Sequence, residues 1–501
     1  MSDLLHLLNG FQEALSPGNL LLCFIGSVVG TLIGVLPGIG PTSTIAILLP
    51  ITGFLAPVPA IIMLAGIFYG SQYGGSTTSI LVNIPGEVGS VVTALDGYAM
   101  TKQGRSGPAL AIAAISSFFA GTLSLVGLTF FAPLLASFAL ESFGPPEFFG
   151  VLCFALTIAV SLSGRSLVRG VSAMFGGLLL GAIGVDPISG SFRFIFGHTD
   201  LMRGIEFISA CIGLFALSEV AVSLEEEIKA VYAEKMKSLM PTREDLKRSL
   251  GPFWRSTIIG FFTGIIPGMT TGIASFLSYD LEKKLSKHPE EFGHGAVEGV
   301  AGPEGANNSC SSGAFVPLLS FWIPSTPSTA VLLGAFMIYG LQPGHLLFEQ
   351  HGPFAWAIIA SMYVGNVMLL VLNLPLVGLW AKVAQMRYGL LAPLILVFSL
   401  LGAFSVRNTF FDVGTAIFFG ILGYLMRKAD VPAAPLILAL VLGEKIEPAI
   451  YQSLALSNGS FGVFYQRPIA LMFLLLAIVS LLVTSWVRHR HPEVPMGSDE
   501  G

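Results

Sequence analysis

Two proline-glycine pairs stand at the same distance behind two pairs of glycines in this chain. Gly30-xxx-Gly34-xx-Pro37-Gly38 recurs as Gly260-xxx-Gly264-xx-Pro267-Gly268, 230 residues later. Small hydroxyl residues follow each pair: Thr42, Ser43 and Thr44 after Gly40 in the first, Thr270, Thr271 and Ser275 in the second. Proline removes a helix hydrogen bond and glycine relaxes the backbone, so each pair reads as a helix break. A free helix N-terminus presents unpaired N–H groups and partial positive charge to an anion. Hydroxyls and unwound carbonyls can coordinate Na⁺. The competing reading is a pair of kinked helices with close glycine packing.

Two further polar runs carry the same chemistry. Tyr73-Gly74-Gly75-Ser76-Thr77-Thr78-Ser79 leads into Asn83-Ile84-Pro85-Gly86, and Ser311-Ser312-Gly313 leads into Ile323-Pro324-Ser325-Thr326-Pro327-Ser328-Thr329. Hydroxyls in a helix often bond back to their own backbone, which is the structural alternative to a polar pocket. The stretch 293–313 contains Glu298, Glu304, Asn307, Asn308 and Ser309 among glycines and alanines. Asparagine carbonyls are hard oxygen ligands suited to small cations, although a solvated loop with Asn turns would read alike. The expected carboxylate-binding residues are therefore Gly38, Gly40, Thr42, Ser43, Gly75, Ser76, Thr77, Thr78, Thr270, Thr271, Ser325, Thr326 and Ser328. The expected cation-binding residues are Asn83, Asn307, Asn308 and Ser79. The helix breaks are expected at Pro37, Pro85, Pro267 and Pro324. Beyond a possible Na⁺, no metal is expected.

The elements that must position these residues are set by composition. Of 501 residues, 53% are hydrophobic and 11% charged, with a mean hydropathy of +0.78. A soluble domain carries about 25% charged residues. The chain therefore reads as a polytopic, all-α membrane protein. Apolar spans fall near 18–36, 41–56, 57–72, 108–136, 145–162, 166–184 and 204–222, and again near 253–268, 271–281, 314–340, 353–380, 389–405, 410–426, 433–450 and 467–487. Residues 1–16 are mildly amphipathic. The four cysteines lie far apart and read as buried small hydrophobes. The first residues lack the basic segment of a cleavable signal. No phosphate-binding loop of the ATPase type occurs, and no zinc-protease pattern. No cofactor and no nucleic-acid partner is expected.

A hydrophilic stretch divides the chain. The expected units are a first transmembrane half (1–222), a hydrophilic cytoplasmic linker (223–252), a second transmembrane half (253–487) and a polar cytoplasmic tail (488–501). Basic residues cluster at Lys102/Arg105, Arg165/Arg169, the linker, Lys283/Lys284/Lys287, Lys382/Arg387, Arg427/Lys428 and Arg488/Arg490. Under the positive-inside rule these segments are cytoplasmic, which places the N-terminus outside and the C-terminus inside. The segment after the first Pro-Gly pair then crosses in the opposite direction to the segment after the second. That is the inverted-repeat plan of many secondary transporters, with broken or re-entrant helices and compatible with an elevator-type motion.

At these residues the sequence resembles a known family. Gly34-Val35-Leu36-Pro37-Gly38-Ile39-Gly40-Pro41-Thr42, Tyr73-Gly74-Gly75-Ser76 with Asn83-Ile84-Pro85-Gly86-Glu87, and Thr93-Ala94-Leu95-Asp96-Gly97-Tyr98 are similar to signatures of the large membrane subunit of tripartite tricarboxylate transporters (TctA-type). In the second half the likeness rests on Glu298-Gly299-Val300-Ala301-Gly302-Pro303-Glu304-Gly305-Ala306-Asn307-Asn308 and Gly340-Leu341-Gln342-Pro343-Gly344. The resemblance covers essentially the whole chain. It implies a bacterial inner-membrane secondary transporter that takes a tricarboxylate such as citrate, or another carboxylate, from a periplasmic solute-binding protein. It also implies a small four-helix membrane partner and coupling to Na⁺ or H⁺ by symport. The chain departs from the pattern at Ser325-Thr326-Pro327, where the family usually has Gly and a small residue, and at Trp322, where a small residue is usual. A bulky Trp beside the second break is expected to reshape the pocket. The competing classes are a membrane-embedded enzyme, for which no nucleophile or metal constellation is visible, and a passive anion channel.

Overall fold

In the computed structural model, residues 2–36, 40–162, 166–186, 188–225, 239–341, 344, 346–383 and 388–490 are described. Pro37 and Gly38 lie outside them. The first half holds α1 (Ser2–Ala14), α2 (Pro17–Val35), α3 (Pro41–Thr52), α4 (Pro57–Val82), α5 (Val91–Lys102), α6 (Ser106–Ser142), α7 (Pro145–Leu162), α8 (Leu167–Gly181), α9 (Phe207–Cys211) and α10 (Ser218–Ser223). A π-helical turn at Ile212–Leu217 joins the last two, and a two-residue hairpin (Gly184–Val185 with Phe192–Arg193) precedes them. The second half holds α11 (Arg243–Ile265), α12 (Thr271–Leu285), α13 (Glu298–Gly313), α14 (Phe315–Phe321), α15 (Pro327–Ile338), α16 (Leu347–Gln350), α17 (Gly352–Asn373), α18 (Val377–Val383), α19 (Tyr388–Arg407), α20 (Phe410–Lys428), α21 (Ala433–Leu456), α22 (Val463–Gln466) and α23 (Pro468–Arg490).

Among the described residues five helices are long and apolar enough to cross a bilayer, at Pro17–Val35, Ser106–Ser142, Gly352–Asn373, Phe410–Lys428 and Pro468–Trp486. With the family evidence below, this is a multi-pass membrane protein. Several apolar spans of the sequence take other forms. The span at 41–56 is a helix of only 12 residues, too short to cross about 30 Å of hydrocarbon alone. The span at 57–72 runs on to Val82, so the hydroxyl run 76–79 is helical. The span at 314–340 is cut in two around Trp322–Thr326. Residues 298–313 form a helix buried along its whole length, not a solvated loop.

Glycine decides the closest packing. Gly26, Gly30 and Gly34 lay α2 directly on the carbonyls of Met63, Ile67 and Ser71 in α4, and Gly66, Gly70 and Gly74 answer from α4. In the second half, Gly260 and Gly264 lay α11 on the carbonyls of Ala306 and Cys310 in α13. Small residues one turn apart let helix backbones meet where no hydrophobic drive separates protein from lipid. The two Gly-xxx-Gly motifs thus do the same work in both halves. α2 rests on α4 and α11 rests on α13, and the glycines stand one turn before each break.

α13 is the central helix, sheltered by α6, α11, α12 and α5. Its polarity is tolerable because its neighbours satisfy it. Ser116 donates to the Ala301 carbonyl (2.5 Å), Ser275 to Pro303 (3.1 Å), and Ser309 to Thr257 (2.7 Å). The loop before α13 is pinned by Asp96 of α5, a fully buried carboxylate. Its Oδ1 accepts from the amides of Gly293, Gly295 and Ala296 (2.8–2.9 Å), and its Oδ2 from the Tyr279 hydroxyl (2.9 Å). Removing a hydrogen-bonded buried acceptor costs about 1–3 kcal/mol per donor stranded. Asp96→Ala is therefore expected to destabilise the fold by roughly 3 kcal/mol or more. The check is the apparent melting temperature of the detergent-solubilised protein, which should fall by several degrees.

Candidate functional site

Three helix breaks and the start of α3 meet inside the molecule. The breaks after α4 and α14 are built alike. α4 ends in Asn83 at φ 60°, and the Ile84 amide reaches back to the Thr78 carbonyl (3.4 Å). α14 ends in Trp322 at φ 62°, and the Ile323 amide reaches back to the Pro317 carbonyl (3.1 Å). A left-handed residue followed by a six-residue reach closes a helix by satisfying its last carbonyls. Pro85 and Pro324 then forbid continuation. The third break follows α11, where Pro267 precedes Gly268 at φ 81°. Gly268 stands so close to the Ala159 backbone that a Cβ would lie 2.9 Å from its Cα.

The breaks touch one another across the halves. Thr42, in the first turn of α3, shares a hydrogen bond of 2.7 Å with Ser328, in the first turn of α15. The Gly268 amide donates to the Ser325 carbonyl (2.8 Å). Thr271, at the start of α12, faces Glu87 of the α4–α5 break (3.5 Å). Short helices starting with Pro41, Thr271, Pro327 and Val91 thus all begin in one neighbourhood. Proline at the first helical position suits α3 and α15, since its missing N–H needs no partner there. Thr270 caps α12 through the Ile273 amide (3.4 Å), and Thr326 caps α15 in a reciprocal box with Thr329.

On one side of this centre lie hydroxyls. Beside the Thr42–Ser328 bond, Ser43 and Ser325 are each 1% exposed, and neither hydroxyl has a partner among the described residues. Gly40 is the N-cap of α3. A buried hydroxyl without a partner costs about 1–3 kcal/mol, which two neighbouring helix starts have no structural reason to bear twice.

On the other side lie two carboxylates. Glu304 of α13 is fully buried, and accepts from Ser76 (2.5 Å) and Thr93 (2.5 Å), with the Ser117 hydroxyl also turned to it. Glu87 accepts from the Gly89 amide (2.9 Å) and from Asn307 Nδ2 (2.9 Å). Asn307 lies one turn beyond Glu304 on α13, so the two acids share a neighbourhood. Its own Oδ1 is buried and unpartnered among the described residues. Gly89 makes room for this cluster. A Cβ there would sit 2.5 Å from Asn307 Oδ1 and 2.7 Å from Glu87 Oε1. The nearby arginines are committed elsewhere: Arg248 pairs with Glu291 and Glu298, Arg255 with Glu282. Neither Glu87 nor Glu304 is ion-paired among the described residues.

The expected residues fall into three groups. Thr42, Ser43, Ser325, Thr326 and Ser328 assemble at the hydroxyl side with Gly40 and Thr270. Ser76, Thr271, Asn307 and Asn308 assemble at the carboxylate side, where Asn308 Nδ2 donates to Ser117 (2.7 Å) and to the Glu304 carbonyl (3.1 Å). Gly75 allows the Glu87 side chain to lie against α4. Thr77 lines a small void of about 10 Å³ with Tyr73, Ser76 and Ser117. Thr78 and Ser79 bond back toward the Gly75 carbonyl (3.3 and 3.0 Å), and Ser79 also reaches Ser90 (2.8 Å). Asn83 is exposed and serves as the left-handed cap. Glu87, Thr93, Ser117 and Glu304 are not among the expected binding residues, although Glu304 stands in the polar stretch 293–313 and Glu87 and Thr93 in the family-like motifs. The available signal was an acid directly after Pro85-Gly86 and another directly after Pro303, in a chain so poor in charge.

The description "Tripartite tricarboxylate transporter TctA family" matches residues 20–438, which include the three breaks, the start of α3 and both carboxylates. The chain belongs to the TctA family. An Agrobacterium vitis protein described as "Uncharacterized 52.8 kDa protein in TAR-I ttuC' 3'region" is 46% identical over 485 residues, 96% of each chain. A second from the same organism, "Uncharacterized protein in TAR-II ttuC' 3'region", is 44% identical over 224 residues, which is 45% of this chain and 93% of that protein. No solved structure matches. As a TctA protein the chain is a membrane component of tricarboxylate transport and works with partner subunits.

Proposed function

We propose that this chain catalyses cation-coupled uptake of a tricarboxylate or another small carboxylate across the bacterial inner membrane. It would receive solute from a periplasmic binding protein and work beside a small four-helix subunit. The observation that carries the reading is the meeting of three helix breaks and the start of α3 between unpartnered hydroxyls on one side and uncompensated carboxylates on the other. Solute carboxylates would bind at the starts of α3 and α15, through Thr42, Ser43, Ser325, Thr326 and Ser328, where helix N-termini favour negative charge. The coupling ion, Na⁺ or H⁺, would bind at Glu87 and Asn307 with Glu304 behind them. A buried carboxylate without a countercharge calls for a cation or a proton. The matched order α2–α3–α4–α5 and α11–α12–α13/α14–α15 supports two repeats, which loop charge would orient in opposite directions. One repeat unit moving against the rest would give alternating access.

Removing Thr42, Ser328 and Ser325 hydroxyls together tests the solute side. A hydrogen bond to a charged group is worth ~1.5–3 kcal/mol, so the triple alanine variant is expected to lose at least tenfold in apparent solute affinity. The measurement is uptake in vesicles holding the chain with its partner subunits, with and without a Na⁺ or proton gradient. Unchanged affinity would remove the hydroxyls from the solute site. Equilibration without accumulation against a gradient would favour a passive channel instead.

A further inference from the structure

The void of about 10 Å³ beside Ser76 is lined by Tyr73, Ser76 and Thr77 of α4, Ser117 of α6 and Asn373 at the end of α17, and closed by apolar side chains of α6. Neither Glu87 nor Asn307 lines it. Its volume is about what one water-sized particle needs. The polar hydrogens around it are spent elsewhere. Tyr73 donates to Asn366 Oδ1 (2.6 Å) and Ser76 to Glu304 (2.5 Å). Ser117 donates to Glu304 and accepts from Asn308 Nδ2 (2.7 Å). Asn373 donates to the Thr31 hydroxyl (3.3 Å) and the Leu369 carbonyl (3.0 Å). Its Oδ1 is buried and has no partner among the described residues. Thr77 is 2% exposed, and its hydroxyl forms no hydrogen bond among the described residues. A hydroxyl has one hydrogen and two lone pairs, so each one that donates outward keeps lone-pair capacity for the void.

We infer that this void is a seat for one Na⁺, held by the oxygens of Thr77, Ser76, Ser117 and Asn373 and balanced by Glu304. The inference deepens the uptake reading above, which places an ion only at Glu87 and Asn307, by adding a second seat next to the same carboxylate. Hydroxyl and amide oxygens are the hard ligands that a small cation takes. An anion would meet Thr77 as the sole uncommitted donor among the side chains that line the space. A water would use the lone pairs but bring no charge, whereas Glu304 is fully buried and carries a charge that asks for one. A space of one water suits Na⁺ better than the larger K⁺. Ser76 and Thr77, which the sequence placed among the solute ligands, thus become ion ligands. The two seats are joined through protein. Ser76 and Ser117 line the void and hold Glu304, and Asn307, one turn further along α13, holds Glu87. An ion in the void also fastens α4 and α6 to α17, through Asn373.

The test is the apparent melting temperature of the purified full chain, titrated with NaCl, KCl or choline chloride at constant ionic strength. A ligand that binds only the folded state raises that temperature with its concentration. Na⁺ should raise it by several degrees and K⁺ and choline should not. The titration is repeated on Glu87→Gln, which silences the seat beside Asn307, and the Na⁺ shift should persist there. Adding Thr77→Val to that background removes one ligand oxygen and no other hydrogen bond, and should raise the half-maximal Na⁺ concentration by about tenfold or more. Thr77→Ser keeps the hydroxyl and should keep the response. Thr77→Ala reports the same loss where the valine variant fails to reach the membrane. No Na⁺-specific shift in wild type, or none in Glu87→Gln, overturns the seat and leaves the void to water. A half-maximal concentration within twofold after loss of the Thr77 hydroxyl overturns it as well. Each of these results leaves the uptake reading intact. That reading fails separately, if vesicles holding the chain and its partner subunits accumulate no carboxylate under any ion gradient, and the Na⁺ titration would still decide the seat.

Discussion

Glu304→Gln is expected to abolish accumulation of solute, with the protein still present in the membrane at wild-type levels. The carboxamide keeps the size of the side chain: its oxygen can accept from one of the Ser76 and Thr93 hydroxyls, which now lie 2.5 Å from the two carboxylate oxygens, and its NH2 can donate to the other once that hydroxyl rotates. Folding therefore loses little, while the site loses a negative charge in a region with no compensating base among the described residues. Two unit charges about 4 Å apart interact by roughly 4 kcal/mol at an effective dielectric of 20, which is on the order of a thousandfold in cation affinity. Glu87→Gln should behave alike: its oxygen can still accept from the Gly89 amide, and Asn307 can flip to turn its unpartnered Oδ1 to the new NH2. Solute counterflow, which needs no net ion movement, separates the two candidate ions. A glutamine mimics a protonated glutamate, so counterflow should survive in a proton-coupled carrier and fail in a Na⁺-coupled one. Accumulation at more than half the wild-type rate in both variants would exclude these carboxylates from coupling.

Gly34→Val and Gly264→Val are expected to remove the folded protein altogether. A Cβ at Gly34 would sit 2.1 Å from the Ser71 carbonyl oxygen, and one at Gly264 would sit 2.2 Å from that of Cys310. These are backbone atoms inside helices α4 and α13, so neither neighbour can swing aside as a side chain would. The helices would have to separate, and the breaks just beyond them would lose their register. Close packing carries much of the association between transmembrane helices, and interhelical bonds such as Ser309 to the Thr257 carbonyl would be lost as the helices part. The control is Gly176→Ala in α8, where a Cβ meets nothing within 4 Å. There alanine should be neutral or slightly stabilising, by at most about 1 kcal/mol, through helix propensity. Membrane abundance and the monodisperse fraction after solubilisation distinguish the outcomes. A monodisperse Gly264→Val protein would contradict the packing described for α11 on α13.

Much of the architecture was legible in the residues. Lipid exposure follows from bulk hydropathy. Breaks at Pro85, Pro267 and Pro324 follow from proline chemistry, which is local and needs no partner. The matched glycines announced a close helix contact in each half, because only small residues permit one. Legibility stopped where the function of a residue depends on which helix lies opposite. Asn83 and Asn307 look equally suited to a cation in the chain, yet one is an exposed cap and the other lies buried against Glu87. Thr78 and Ser79 look like pocket hydroxyls but turn back to the Gly75 carbonyl.

Residue types and spacing alone determined that this is a membrane protein whose helices are interrupted at related places, with hydroxyls beside each interruption. Only the tertiary structure decided that the interruptions meet, that Thr42 joins Ser328 across 286 positions, and that Glu304 and Glu87 stand together beneath them. The reason is physical. A helix break is encoded in the dihedral limits of proline and glycine. The worth of a buried charge depends on the dielectric and donors around it, and those come from segments some 200 residues away.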